Sequence, residues 1–190
     1  MDIKNWLQMR SPAFIVRRSG ALIRRYGLDS SRAEHRLERL MEMFARFNCA
    51  PTFPVPGAVV EKHAAFIRSL QSAGAEIAVH SYNHINLAAL LPHQAVNQLL
   101  RAKEVFEHAN LPVHGFRCPY LSCTDGLISA LPENVFEYSS NHAVHWPLAS
   151  SSAAEVDGVL YATIARFYVP EPATRRLCLP YPRGSVIEIP

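Results

Sequence analysis

The stretch EIAVHSYNH at residues 76–84 runs a short apolar segment directly into two histidines. Residues 76–79 are predicted as a strand, because a brief apolar run between turn signals is typical of a buried strand. His80 and His84 then fall in the loop that follows. Enzymes of the α/β class place their chemistry in such loops, so this stretch predicts a functional site.

A second stretch repeats the arrangement farther along the chain. Residues 113–116 (VHGF) form another predicted strand, followed by Arg117-Cys118-Pro119-Tyr120. This motif too lies where a strand would end in a loop, which is where α/β enzymes place their chemistry.

Predicted helices separate the predicted strands. Apolar spacing, capping residues and turn residues predict helices over 31–47, 60–74 and 92–108 and a short one from Thr124, with strands over 51–57, 76–79, 113–116, 135–138, 159–169 and 186–189. This alternation predicts a parallel α/β sheet or barrel.

The bulk composition excludes several classes of protein. The 190 residues, 49% of them hydrophobic, suffice for one domain with its own core, and a net charge of +3 is too small to indicate nucleic-acid binding. No stretch resembles a signal peptide or a membrane span. The four cysteines lack paired zinc-type spacing, which favours reduced thiols and a cytoplasmic protein: Cys49, Cys118, Cys123 and Cys178.

The first 28 residues carry six basic side chains against one acid, Asp2. A helix predicted from Ser11 to Gly27 gathers apolar residues on one side and arginines on the other. Such a helix can lie on an anionic membrane surface, or it can pack on its own domain and point its arginines at water. The predicted division is therefore a basic amphipathic helical segment, 1–28, and a catalytic-type domain, 29–190.

The histidine pair predicts a metal site. Two imidazoles four residues apart in one loop can face the same point, and imidazole is a good ligand for Zn²⁺ and also for Co²⁺ or Ni²⁺. The alternative is a pair of half-buried histidines bonded to backbone carbonyls.

With their flanks, these motifs resemble the second and third motifs of the polysaccharide deacetylases, the NodB-homology or family 4 carbohydrate esterases. The flanking matches are Thr52-Phe53, Gly57 and the run Gly74-Ala75-Glu76-Ile77. The resemblance covers about residues 28–146. It implies a distorted (β/α) barrel of the deacetylase type, a carbohydrate substrate, and metal-dependent hydrolysis of an N-acetyl group.

The resemblance also implies roles for individual residues. His80 and His84 correspond to the family's metal ligands, Arg117 to the cation that orients the base carboxylate, and Tyr120 to the residue whose backbone N–H binds the developing oxyanion. Zinc is the expected metal, with cobalt or nickel as alternatives.

The chain departs from the family pattern at the first motif. Where the family has Thr-Phe-Asp-Asp-Gly, this sequence has Tyr26-Gly27-Leu28-Asp29-Ser30, with one carboxylate in place of two. Asp29 corresponds either to the metal ligand or to the general base. The alternative without a catalytic role is that Asp29 complements the dipole of the following helix.

The family's late histidine, its general acid, would lie beyond Pro190, so an incomplete barrel is expected. His142 and His145 either replace it or are loop histidines.

Two other functions stay open. One is a non-catalytic relative that binds a sugar or a partner protein. The other is a hydrolase of another C–N bond in a small molecule, since the same metal centre would serve any planar amide. The oligomeric state is not indicated by the sequence.

Overall fold

The computed structural model describes residues 30–145, 171–172 and 179–190. The predicted helix from Ser11 to Gly27, the acid Asp29, the thiol Cys178 and the predicted strand over 159–169 lie outside these residues. The chain divides into two compact units, Met1–Pro51 and Thr52–Pro190. The predicted division at residue 28 stays a prediction.

The first unit contributes one described helix, α1 (Ser31–Arg46), close to the predicted bounds. Its N-cap is Ser30, whose side chain makes no cap hydrogen bond. The predicted apolar face is half-buried at Leu37, Leu40, Met41 and Phe44. Phe47 follows the helix end and is 74% exposed.

The second unit alternates strands and helices in the predicted order. Its α-helices are α2 (Gly57–Ser72), α3 (Pro92–His108) and α4 (Asp125–Ala130). Its strands are β1 (Thr52–Val55), β2 (Glu76–Val79), β3 (Gly115–Phe116), β4 (Tyr138–Ser139), β5 (Val144–His145), β6 (Glu171–Pro172), β7 (Tyr181–Arg183) and β8 (Val186–Glu188). None of the helices in the described ranges has the length and apolar character needed to cross a membrane.

Six of these strands form one sheet in the order β1-β2-β3-β4-β8-β7. Strands β1 to β4 pair in parallel, β8 pairs in parallel with β4, and β7 returns antiparallel to β8. Strands β5 and β6 form a separate parallel pair. The predicted α/β class with a parallel sheet is confirmed, while the antiparallel hairpin of β7 and β8 is an addition that the sequence did not predict.

The core lies between the sheet and the helices α2 and α3. Ile77 and Val79 alternate along β2 and are fully buried, as are Leu99 and Phe106 on α3. Burying a side chain of this size stabilises the fold by about 1.5–3 kcal/mol. The continuous apolar run in the strand and the helical spacing of apolar residues in α3 were the patterns from which these elements were predicted.

Two strands begin later than predicted. β3 starts at Gly115 rather than residue 113, and β4 starts at Tyr138 rather than residue 135. The reason is the hydrogen-bond ladder, which in this region begins where the Glu137 N–H donates to the His114 carbonyl at 2.7 Å. Phe136 is buried just before the ladder starts, so its apolar side chain extended the predicted strand.

Candidate functional site

His80 and His84 lie close together at the carboxyl end of β2. The His80 N–H donates to the Val55 carbonyl of β1 at 3.1 Å, so His80 continues directly from the sheet. The His80 and His84 ring centroids are 4.8 Å apart, with the rings at 67°. The loop thus brings together the two side chains that the spacing indicated.

A backbone carbonyl fixes the orientation of the His80 ring. Its Nδ1 lies 2.6 Å from the Arg117 carbonyl oxygen. Because a carbonyl only accepts hydrogen bonds, Nδ1 carries the proton and Nε2 presents its lone pair. Burial lowers the pKa of His80, which keeps the ring neutral near pH 7. A metal-binding histidine usually donates its other ring N–H to such an acceptor, so the contact with the carbonyl is compatible with a metal ligand at Nε2.

His84 is held by the residue at the start of its own loop. The His84 N–H donates to Ser81 Oγ at 3.1 Å, and the Ser81 carbonyl accepts from Gly57 N–H at 3.0 Å. Ser81 is fully buried. Both loop residues adopt the left-handed backbone, with φ of 58° at Ser81 and 54° at His84.

The underside of the loop is anchored through Tyr82, which is 8% exposed. Its hydroxyl lies 3.0 Å from each carboxylate oxygen of Glu61, and the Arg101 guanidinium carbon lies 3.6 Å from the ring centroid. Gly57 makes room for this ring, since a Cβ there would lie 2.9 Å from Tyr82 Cδ2 and 3.0 Å from Ala102 Cα.

Arg117 follows β3 and joins three strand ends. Its backbone N–H donates to the Val79 carbonyl at 2.9 Å. Its guanidinium donates through Nε to the Ser140 carbonyl at 2.6 Å and through Nη2 to Ser140 Oγ at 2.5 Å. Among the described residues no carboxylate pairs with Arg117. Its predicted carboxylate partner, Asp29, lies outside them.

Tyr120 stands next to the histidine pair. It lies in a short 3₁₀ turn, Pro119–Leu121, and is 49% exposed. Its ring meets the His84 ring edge-on, with centroids 5.3 Å apart. Tyr120 and Leu121 both have positive φ, 59° and 56°. The structure therefore brings four of the five predicted site residues, all except Asp29, into two adjoining loops.

Sequence reasoning missed the carboxylate that organises the loop after β4. Glu188 is fully buried and accepts hydrogen bonds from Ser139 Oγ at 2.5 Å, the Asn141 N–H at 2.5 Å and the His142 N–H at 2.8 Å. Asn141 in turn accepts from the Cys118 N–H through Oδ1 at 2.6 Å. A local signal marked only the loop, since the polar run from Ser139 to His142 directly follows an apolar segment, as the His80 and Arg117 motifs do.

The predicted substitutes for the late general acid, His142 and His145, follow β4 in the chain. His142 Nδ1 is 3.1 Å from the Tyr181 hydroxyl. The backbone of His145 belongs to β5, where it pairs with Pro172. The role of both residues stays a prediction.

Two of the three described thiols lie beside these loops. Within the described ranges Cys49, Cys118 and Cys123 form no disulfide. The hydrogen bond between the Cys118 and Cys123 thiols, together with burial, raises the pKa of Cys118, and the same bond lowers the pKa of Cys123. Cys123 is therefore the thiol of the pair that ionises first.

A cavity of about 250 Å³ opens on the face of the sheet that carries Glu76 and Ala78. Arg117 and Ser140 line it at one end. At the other, Glu76 accepts from Thr52 Oγ1 at 2.6 Å and from the Tyr138 hydroxyl at 2.8 Å. Arg117 thus presents its side chain to a space large enough for a small polar group.

The described residues supply two of the protein ligands that a divalent metal needs. His80 and His84 supply two neutral imidazoles, and a catalytic zinc usually takes three protein ligands. Within the described ranges no group of three or more histidine, cysteine or acidic residues is placed to hold a metal ion. The remaining candidate from the sequence, Asp29, lies outside those ranges.

Comparison with known proteins identifies relatives of this chain. Residues 28–138 match the family described as polysaccharide deacetylase. A bifunctional xylanase/deacetylase of Pseudobutyrivibrio xylanivorans is 27% identical over 124 residues, which are 64% of this chain and 20% of the relative. The chain thus spans about a fifth of the length of that curated relative.

Two solved structures are similar to parts of this chain. A protein of Mycobacterium smegmatis assigned to the polysaccharide deacetylases is 26% identical, with a TM-score of 0.56, over 80% of this chain and 44% of its own. A family 4 carbohydrate esterase pseudoenzyme of Bacillus anthracis is also 26% identical, with a TM-score of 0.47, over 51% of this chain and 35% of its own. The first likeness confirms the predicted deacetylase-type α/β fold.

Proposed function

This chain belongs to the polysaccharide deacetylase family, and we propose that it removes N-acetyl groups from a carbohydrate by metal-dependent hydrolysis. The observation that supports the proposal most is the His80 and His84 pair, with ring centroids 4.8 Å apart at a strand end. The Arg117 carbonyl accepts a hydrogen bond from the His80 Nδ1–H, which leaves Nε2 as the nitrogen available for a metal.

His80 and His84 would hold the metal together with a third ligand, for which Asp29 is the candidate from the resemblance. Zinc suits two imidazoles and a carboxylate best, and cobalt or nickel would also bind. When bound, such a metal polarises an amide carbonyl and supplies an activated water.

Arg117 and Tyr120 would serve the reacting amide from the next loop. The Arg117 guanidinium is fixed by two hydrogen bonds to Ser140, so it presents a positive charge at a defined position. Tyr120 packs on His84, which would put its backbone N–H within reach of an oxyanion that forms at the metal position.

The proposal is tested by metal content and acetate release. Wild type and the double variant His80→Ala/His84→Ala are dialysed against Zn²⁺, assayed by elemental analysis, and then incubated with acetylated sugar oligomers. We expect near one equivalent of zinc and release of acetate from the wild type, and loss of both in the double variant. His93→Ala/His108→Ala is the matched control, since both of its histidines are exposed and lie on α3 instead of the loop after β2.

Each other outcome assigns a different function. Zinc without acetate release, but with binding of the oligomers, would indicate a non-catalytic relative that binds sugar. Hydrolysis of a cyclic amide without action on the oligomers would indicate another C–N bond. A wild type that takes up no zinc would overturn the metal site itself.

A further inference from the structure

Two thiols lie at the two ends of the turn that carries Tyr120. Cys118 directly precedes the 3₁₀ turn Pro119–Leu121, and Cys123 follows it by two residues. Their side chains form a hydrogen bond with each other. The function proposed above uses neither thiol, so this pair of adjacent nucleophiles has no role in it.

The two thiols differ in their access to solvent. Cys118 is fully buried. Cys123 is half-buried and lines a cavity of about 480 Å³ together with Asp125, Tyr181 and Arg183. A small molecule that enters this cavity can therefore meet Cys123 but not Cys118.

The surroundings of Cys123 favour its ionised form. The Cys118 thiol donates its hydrogen bond to the Cys123 sulfur, which lowers the pKa of Cys123 and raises the pKa of Cys118. The positive charge of Arg183, whose Nη2 donates to the Cys123 carbonyl at 3.2 Å, lowers the pKa of Cys123 further. Burial and the carboxylates of Glu188 and Asp125 oppose this shift without reversing it. Because the thiolate is the nucleophile of a cysteine, Cys123 is the one of the two that reacts with an oxidant.

We propose that Cys118 and Cys123 are a redox pair, which hydrogen peroxide oxidises to a disulfide and a small thiol reduces again. The Cys123 thiolate attacks one peroxide oxygen, so that an S–O bond forms, the O–O bond breaks, and the leaving hydroxide takes up the proton that Cys123 lost. The Cys118 sulfur then attacks the Cys123 sulfur, the S–S bond forms, and the S–O bond breaks. The second hydroxide leaves as water with the proton of Cys118. Two thiols are oxidised to one disulfide, and the peroxide is reduced to two molecules of water. Two molecules of a small thiol reverse the reaction by exchange and leave as their own disulfide.

A disulfide here would act on the turn that contacts the histidine pair. Tyr120 and Leu121 have positive φ and lie between the two cysteines, and the Tyr120 ring centroid is 5.3 Å from that of His84. Ser122 Oγ, in the same segment, lies 2.8 Å from Asn86 Oδ1 in the loop after β2. A covalent bond holds two sulfur atoms closer than a hydrogen bond does, so oxidation draws the ends of the segment together and changes the shape of the turn. We therefore expect oxidation to slow acetate release, and this part of the proposal rests on the proposed function.

The first test measures the mass of the intact chain. The parent protein carries Cys49→Ser and Cys178→Ser, which leaves Cys118 and Cys123 as its only thiols. It is treated with hydrogen peroxide and then with dithiothreitol, and mass spectra are recorded after each step. We expect the mass to fall by that of two hydrogen atoms after peroxide and to return after dithiothreitol.

Two further variants of this parent separate the roles of the two thiols. Cys118→Ala removes the second thiol, so the oxidised Cys123 should persist with one added oxygen and react with dimedone. Cys123→Ser removes the thiol that meets the oxidant, and the buried Cys118 should then keep its mass. Melting curves confirm that each variant is folded. Cys123→Ser, at the half-buried position, decides the question should Cys118→Ala fail to fold.

The second test measures acetate release from acetylated sugar oligomers by the reduced and the oxidised parent. We expect the rate to fall with the disulfide and to recover with dithiothreitol. Cys123→Ser is the matched control, since it should keep its rate after peroxide. A rate that does not depend on the disulfide would overturn the effect on the Tyr120 turn.

Three results of the mass measurement would overturn the redox pair itself. These are an unchanged mass in the parent, addition of oxygen without loss of hydrogen, and a covalent dimer in place of the internal disulfide. The mass measurement needs no substrate, so it is independent of the proposed function. A reduced protein that releases no acetate but forms the disulfide would overturn the proposed function, and with it the effect on acetate release, while it supports the redox pair.

Discussion

The loops after β2 and β3 and the turns that follow the helices use the same left-handed backbone but fill it with different residues. The turns use asparagine at Asn48, Asn110 and Asn134. The loops use Ser81, His84, Tyr120 and Leu121. These seven are the non-glycine residues with positive φ in the described ranges.

Positive φ has a different cause in the turns and in the loops. Asparagine adopts positive φ readily, so Asn48 and Asn110 simply end their helices at the usual position. Other residues lose roughly 1–2 kcal/mol there and keep the conformation only where surrounding contacts impose it. In the β2 loop those contacts are the Ser81 hydroxyl and the anchored Tyr82. Strain that the fold maintains in this way marks the two loops as the functional part of the sheet edge.

The largest expected effect comes from removing the space behind the β2 loop. In Gly57→Ala the added Cβ meets the Tyr82 ring and the Ala102 backbone, so we expect a loss of about 1–3 kcal/mol in the free energy of unfolding. Zinc affinity should fall as well, because Tyr82 lies between the two proposed ligands. Urea unfolding and a zinc titration measure the two effects.

Gly126→Ala is the control for this change. Gly126 lies in α4, where alanine is favoured by up to about 1 kcal/mol over glycine. Equal destabilisation by both variants would mean that the clearance at Gly57 has no special role.

Ser81→Ala removes the acceptor that holds the His84 N–H. Because this contact orients a proposed ligand, we expect zinc affinity to fall by about 10–100-fold. A competition titration against a chelator of known affinity measures it. Ser129→Ala, an exposed serine in α4, should bind zinc as the wild type does. Unchanged affinity in Ser81→Ala would show that the loop keeps its shape without this bond.

Leu121→Asn tests whether the β3 loop stores strain. Asparagine tolerates the φ of 56° found there, so we expect a gain of roughly 0.5–1 kcal/mol in the free energy of unfolding. The rate of acetate release should not rise together with the stability, since the substitution relieves backbone strain in the turn that carries Tyr120. A lower free energy of unfolding would show that the packing of the leucine side chain outweighs the cost of its positive φ.

The smallest effect is expected at a helix end. Asn110→Gly exchanges two residues that both accept positive φ on an exposed turn, so the free energy of unfolding should change by less than about 0.5 kcal/mol. Zinc content should be unaltered. A change as large as that of Leu121→Asn would remove the distinction between the turns and the loops.

The sequence predicted the elements that local patterns determine. Helix α3 begins at Pro92 and ends just before Asn110 because proline suits a first helical position and asparagine suits the residue after the last. The histidine pair and Arg117 were found for a similar reason, since each follows an apolar strand within a few residues.

Contacts between distant segments were beyond such reasoning. The role of Asn141 depends on Glu188, 47 residues away, and on the Cys118 backbone in another loop. No local pattern shows which carboxylate will be buried among backbone donors. The hairpin of β7 and β8 was missed because a three-residue strand around a proline carries little periodic signal. The role predicted for Asp29 stays a prediction.

The burial of Glu188 has a consequence for the order in which the protein folds. The sheet from β1 to β4 is built largely from neighbouring segments, whereas the loop after β4 receives its hydrogen bonds from a carboxylate 46 to 49 residues later. Closing so long a loop is slow, and during synthesis Glu188 leaves the ribosome after the four strands β1 to β4. The Asn141 loop is therefore expected to mature last. In a pulse-labelling experiment its amide hydrogens should gain protection after those of β2 and α3.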